Sequence, residues 1–207
     1  MNSKSIISPN KITFFRIILS FVILFIFCLE NFWNPYLFLI LIWFLIIFNE
    51  ITDLIDGYIA RKYDLVSNVG KILDPYADVL QHLTYFVFFF YKGITPYYFF
   101  VIFIYRELSV GVIRNLIIQF DIVQQAKFSG KIKSLFYAIS TFASLFLYSL
   151  DKLKITTLIE NFISLILNLD FNFSFIVGII YAISAFLTLI SLIDYIVIFL
   201  DLGKYEK

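Results

Sequence analysis

Four aspartates and an arginine are spaced as Asp53-x2-Asp56-Gly57-x2-Ala60-Arg61-x8-Gly70-x3-Asp74-x3-Asp78. Asp53 and Asp56 are three positions apart, and Asp74 and Asp78 four. Either spacing puts a pair on one face of a helix, one turn apart. Two helices that each present a carboxylate pair can hold one or two hard cations. An all-oxygen donor set, with no His or Cys in it, favours Mg²⁺ or Mn²⁺ over zinc. A cation held by carboxylates and open to a ligand suits phosphate chemistry. Arg61 adds a fixed positive charge for a phosphate. Gly57 leaves room for a ligand or another backbone to approach closely, and Gly70 precedes the second pair where the loop ends.

The surroundings make these charges expensive. The chain has 207 residues, 61% of them hydrophobic, and a mean hydropathy of +0.92. Its apolar runs approach the roughly 20 residues that a membrane-spanning helix needs. A charge at membrane depth costs about 2.5–3.5 kcal/mol on insertion scales, so four carboxylates would cost on the order of 10 kcal/mol. A bound divalent cation is the compensation that the pattern offers. The net charge of +1 gives no footprint for a polyanion, so no nucleic-acid partner is expected. The single cysteine, Cys28, lies in an apolar run, where it can form neither an intrachain disulfide nor a metal site. The 21% aromatic content, mostly Phe and Tyr, reads as compositional bias rather than as a ligand site.

The elements that must position the aspartates are helices. We expect an all-α integral membrane protein with six transmembrane helices and a polar active-site cavity facing the cytoplasm. The spans are expected near 12–28, 35–48 (continuing as helix into Asp56), 72–91, 95–120, 132–150 and 173–200. The whole chain, 1–207, reads as one membrane domain, with 1–11 an N-terminal cytoplasmic or interfacial segment. Residues 151–172 are too short and too interrupted by charge to span, so an interfacial amphipathic helix is expected there. The first apolar run is long and has no small-residue cleavage site after it, which reads as a retained span. Six spans put both termini on one side, together with Lys4, Lys11, Arg61, Lys62, Lys71, Lys127, Lys131, Lys133, Lys204 and Lys207. Only Lys92, Lys152 and Lys154 fall on the other. The positive-inside rule then makes the first side cytoplasmic, aspartates included, in a cell (inner) membrane.

At every fixed position the aspartate pattern resembles the signature of the CDP-alcohol phosphatidyltransferases. Pro9-Asn10-Lys11-Ile12-Thr13-Phe14-Phe15-Arg16, Arg106-Glu107, Arg114 and Gly130-Lys131-Ile132-Lys133-Ser134 further resemble the bacterial phosphatidylglycerophosphate synthases of that family. The resemblance covers about 9–134. It implies a six-span homodimer that transfers the phosphatidyl group of CDP-diacylglycerol to sn-glycerol 3-phosphate, giving phosphatidylglycerophosphate and CMP. Asp53, Asp56 and Asp74 would be metal ligands, with one or two Mg²⁺ or Mn²⁺ ions. Asp78 would be the general base and also touch metal. Gly57, Ala60, Arg61 and Gly70 would lie along the CDP moiety, with Asn10 and Thr13 helping to close the nucleotide pocket.

The acceptor implied by the resemblance is a dianion and needs cations. Arg106 stands inside the fourth expected span, where a charge has a function or a partner. Arg114 is eight positions on, about two turns along near the same face, and Lys131 and Lys133 open the fifth span. These four are the candidate phosphate site. For each an ordinary role is open: Arg106 paired with Asp194 or another acid, Arg114 snorkelling to the interface, the lysines as positive-inside residues. Glu107 can orient an arginine, and His82, one turn after Asp78, can pack or support it. One departure stands out: the residue after the fourth aspartate is Val79, where many of the subgroup carry Lys. Acceptors such as serine, inositol phosphate, choline or phosphatidylglycerol are the alternatives within the family. An ion transporter or a non-catalytic scaffold is the alternative outside it.

Overall fold

The computed structural model describes residues 9–62, 68–119 and 128–202. Among them are seven α-helices and no strand. They are α1 (Pro9–Cys28), α2 (Pro35–Lys62), α3 (Asn68–Tyr91), α4 (Tyr97–Gln119), α5 (Phe128–Lys152), α6 (Thr156–Leu167) and α7 (Phe173–Leu202), with a short 3-10 turn at Glu30–Phe32.

Local chemistry sets several of the ends. α1 and α2 both begin on proline, whose fixed φ and missing N–H suit the first helical position. Asn34 caps α2, its Oδ1 accepting from the Tyr36 N–H at 3.0 Å. Asn172 caps α7 in the same way through the Phe175 N–H, also at 3.0 Å. α6 stops at Asn168, which takes the left-handed conformation that ends many helices (φ 54°). Pro75 lies inside α3, directly after Asp74. It cannot donate to the preceding turn, an interior position that ordinarily costs about 3 kcal/mol.

The helices fall into two compact units, divided between Phe88 and Phe89. In the first, α1 packs on α2, with Ile23, Phe38, Ile42 and Ile46 fully buried. Phe27 of α1 stacks on Phe88 of α3, ring centroids 3.7 Å apart. Asn49 of α2 donates to the Tyr85 hydroxyl of α3 at 3.0 Å.

In the second unit α7 lies against both α4 and α5, and its seam is polar. Ser140 of α5 bonds to Ser184 of α7 at 2.7 Å. Ser144 bonds to the Tyr181 hydroxyl at 2.8 Å, which also accepts from Thr95 at 2.7 Å. Thr188 donates to the Tyr137 hydroxyl at 3.2 Å. Meanwhile Phe175, Ile179, Phe186 and Ile193 of α7 point outward. Small hydroxyl residues inside and large apolar ones outside is the arrangement of helices packed in lipid, where hydrogen bonds and close approach hold helices together.

Among the described residues four helices are long and apolar enough to cross a membrane: α1, α2, α5 and α7. These match the first, second, fifth and sixth expected spans. At the third and fourth, α3 and α4 are helices of 24 and 23 residues. They are about 35 Å long at 1.5 Å per residue, but each carries charged residues that lower its apolarity. In 151–172, α6 has 12 residues and none of them buried. Leu158, Phe162, Leu165 and Ile166 are exposed along it. Its polar side holds the next loop: Glu160 accepts from the Phe173 N–H at 2.8 Å and Ser164 from the Phe171 N–H at 2.9 Å.

Candidate active site

In the first unit, three of the four motif aspartates are described with their side chains, and each has a partner on a neighbouring turn or helix. Asp53, in the C-terminal third of α2, accepts a salt bridge from Arg16 Nη1 of α1 at 2.6 Å; the arginine side chain is 1% exposed and the aspartate 39%. Arg16 Nη2 donates to Gln81 Oε1 of α3 at 3.0 Å. Gln81 Nε2 in turn donates to Glu50 Oε1 of α2 at 2.6 Å. Asp74 Oδ1 accepts from the buried Thr13 hydroxyl of α1 at 2.7 Å. Asp78 Oδ1 lies 3.2 Å from His82 Nε2, one turn further along α3.

The polar interior therefore has a direction. Arg16, Gln81 and Thr13 are buried, whereas Asp74 is exposed and Asp53 and Asp78 are half-buried. Carboxylates on α2 and α3 face outward from a layer of hydrogen-bond donors that fixes them. Oxygen donors that are accessible, anionic and tethered from behind suit a hard divalent cation. Asp56 stands one turn after Asp53 on α2, but the side chains of 56–62 lie outside the described residues. Among the described residues no three acidic, His or Cys side chains form a metal-holding group; the fourth member of the motif is not among them. The backbone of Gly57, Ala60 and Arg61 lies in the last turns of α2, and the side chains of Ala60 and Arg61 likewise lie outside the described residues. Gly70 is buried in the first turn of α3, and Asn10 is half-buried in the first turn of α1.

In the second unit, two of the four candidate acceptor cations share one carboxylate. Glu107 Oε2 accepts from Arg106 Nη1 at 2.8 Å, and its Oε1 from Lys133 Nζ at 2.7 Å. The Tyr137 hydroxyl donates to the same Oε1 at 3.1 Å. All three charged residues are buried, at 3%, 6% and 4% exposure for Arg106, Glu107 and Lys133. Arg106 Nη2 donates to Ser191 of α7 at 2.7 Å, and its buried Nε has no hydrogen-bond partner among the described residues. Arg106 and Arg114 both approach the Tyr195 ring, at 5.8 Å and 5.5 Å from its centroid. Arg114 also donates to the Tyr195 hydroxyl at 2.8 Å. Lys131 stays exposed on the opposite side of α5.

Of the roles left open for Arg106, pairing with Asp194 is not the one found: Asp194 accepts from Ser129 at 2.5 Å, and Glu107 takes the arginine. Glu107 is thus the hub of the cation cluster, as its place beside Arg106 allowed. Arg16, Gln81 and Glu50 were not read as part of the site. Their signal was available: an arginine inside an apolar run, three positions after Thr13, is a charge that needs a partner.

The chain as a whole is similar to known proteins. A family model described as CDP-alcohol phosphatidyltransferase fits residues 6–190. The protein of Aquifex aeolicus (strain VF5) named CDP-diacylglycerol–glycerol-3-phosphate 3-phosphatidyltransferase is 31% identical over 164 residues, 77% of this chain and 88% of the relative. Its namesake from Treponema pallidum (strain Nichols) is 34% identical over 106 residues, 51% of this chain and 49% of the relative. That of Bacillus subtilis (strain 168) is 37% identical over 90 residues, 44% and 47%. The aligned part thus spans about half the length of the Treponema and Bacillus relatives and most of the Aquifex one. Since the family match runs from α1 into α7, through every helix that carries the aspartates and the buried cations, the chain belongs to the CDP-alcohol phosphatidyltransferase family.

Proposed function

We propose that the protein transfers the phosphatidyl group of CDP-diacylglycerol to sn-glycerol 3-phosphate, releasing phosphatidylglycerophosphate and CMP. The observation that carries this reading is the set of accessible carboxylates Asp53, Asp74 and Asp78, presented by α2 and α3 on the family's own spacing. The names of the relatives support the donor and the acceptor.

In the step itself, a hydroxyl oxygen of the acceptor bonds to the phosphorus that carries diacylglycerol, and the bond from that phosphorus to CMP breaks. Asp78 takes the hydroxyl proton. A free aspartate is a weak base, with a pKa near 3.9. Its effect therefore comes from placement beside the hydroxyl, with His82 holding the carboxylate in orientation. Asp53, Asp56, Asp74 and Asp78 hold one or two Mg²⁺ or Mn²⁺ ions. When bound, these supply neutralisation of the diphosphate and of the charge that develops on departing CMP. Asn10, Thr13, Gly57, Ala60, Arg61 and Gly70 line the path of the CDP moiety.

Arg106, Arg114, Lys131 and Lys133 serve the acceptor phosphate. Two cations that share the single Glu107 carboxylate leave those three groups with a net positive charge, to which a phosphate is complementary. Arg106 retains a buried donor for it. The protein acts as a single membrane domain, a homodimer with six spans, α3 and α4 among them. Both termini and the active-site cavity face the cytoplasm.

The test is direct. Purified full-length protein in nanodiscs, given CDP-diacylglycerol, glycerol 3-phosphate and Mg²⁺, releases CMP, and EDTA stops the release. Release that persists at saturating EDTA would remove the metal from the reading.

A further inference from the structure

Both aspartates that bond to α1 do so through one face of it. Thr13 and Arg16 are three positions apart, hence one turn apart on the same side of the helix. Each is 1% exposed. Thr13 reaches α3 and holds Asp74 Oδ1 at 2.7 Å; Arg16 reaches α2 and holds Asp53 Oδ1 at 2.6 Å. The second arm of Arg16 runs through Gln81 of α3 to Glu50 of α2. One arginine thus ties together the two helices that present the carboxylates. Thr13, proposed above to lie along the path of the CDP moiety, also holds a carboxylate with its hydroxyl.

We propose that Thr13 and Arg16 are positioning residues of the metal site: α1 sets the rotamers and separation of the carboxylates on α2 and α3 before any ion arrives. This rests on the metal-site reading above. The reasoning is physical. Asp53 and Asp74 lie on different helices, and each keeps torsional freedom about its own side chain. Like charges brought toward a common point repel, so an untethered pair would turn apart. A donor behind each fixes one oxygen, Oδ1, and with it the rotamer of the carboxylate. The tethers differ in kind. Arg16 offers a planar fork that binds Asp53 and Gln81 at once, a geometry lysine does not reproduce. Thr13 offers a single neutral hydroxyl. Groups that orient metal ligands in this way commonly change metal affinity by 10–100-fold when lost.

The experiment reads metal binding with no substrate present. Full-length protein in detergent is titrated with Mn²⁺ alone, and free Mn²⁺ is followed by its EPR signal. The proposal predicts that Thr13→Val weakens Mn²⁺ binding by about tenfold and that Thr13→Ser restores it. Thr13→Val in an Asp74→Ala background should produce no further loss, because the acceptor of its bond is already gone. Arg16→Lys, which keeps the charge without the fork, is expected to weaken Mn²⁺ as well. Unchanged affinity in Thr13→Val, in protein whose native form binds Mn²⁺, would overturn the proposal while leaving the metal site standing. Native protein that binds no Mn²⁺ would overturn the metal site and the proposal with it. A fall in thermal stability of Thr13→Val with native affinity would mark a structural bond only, and so would also count against it.

Discussion

Asp78 and His82 sit one turn apart on α3, with Nε2 3.2 Å from Oδ1. In the proposed step Asp78→Asn keeps the size of the side chain and loses its basicity. The variant is expected to bind CDP-diacylglycerol as before while turnover falls by about 10²–10⁴-fold. Single-turnover CMP release against donor binding separates the two; near-native turnover would remove Asp78 as the base. At Glu107 the expectation is about folding. Glu107→Ala would leave two buried cations without their shared carboxylate, a loss of about 3–5 kcal/mol, read as a fall in unfolding midpoint. Arg106→Ala and Lys133→Ala should raise KM for glycerol 3-phosphate more than for the lipid donor. Unchanged acceptor KM in both would misplace the phosphate site. The aspartates could be read from sequence because their spacing is itself the signal. The bonds of Arg16 to Asp53 and Gln81 could not, since they join residues far apart in sequence. Pattern alone shows that a buried charge needs a partner, not which partner it finds.

At the scale of elements, most helix ends were legible to within a few residues, because apolar runs and their interruptions are long. Proline and asparagine then mark the starts of α2 and α7. The α5–α7 seam was not. Ser140, Ser144, Ser184 and Thr188 are scattered among apolar residues, and only the packed helices show that they meet. In lipid such bonds are worth about 0.6 kcal/mol each on average. A Ser140→Ala, Ser184→Ala double-mutant cycle is therefore expected to show a coupling of that order in an unfolding titration. Ser184→Leu, which inserts bulk where Ser140 approaches at 2.7 Å, should destabilise far more than either alanine. If leucine is tolerated as well as alanine, the two helices are not held at this seam. Pro75 in α3 is the element-scale anomaly. It removes the helix bond from position 75 back to position 71, in the turn that leads to Asp74, where a regular helix would be the cheaper solution. Local rules give way there beside the carboxylates.

For the whole molecule, composition alone reads as a multi-pass membrane protein, and among the described residues four helices meet the length and apolarity of a span. The charges that make α3 and α4 less apolar are those of the proposed site: Asp74 and Asp78 on one, Arg106, Glu107 and Arg114 on the other. With six spans, single cysteines placed at the two termini are both expected to be protected from an impermeant thiol reagent in intact cells. A cysteine in the turn between α3 and α4 is expected to react. Opposite reactivity at the two termini would require an odd number of spans. The central claim is the pairing of one donor with one acceptor, and an acceptor panel tests it most directly. Purified protein with CDP-diacylglycerol and Mg²⁺ is offered glycerol 3-phosphate, serine, inositol phosphate, choline or phosphatidylglycerol in separate reactions. The account predicts CMP release with glycerol 3-phosphate and with none of the others. Release with another acceptor in place of glycerol 3-phosphate would contradict it.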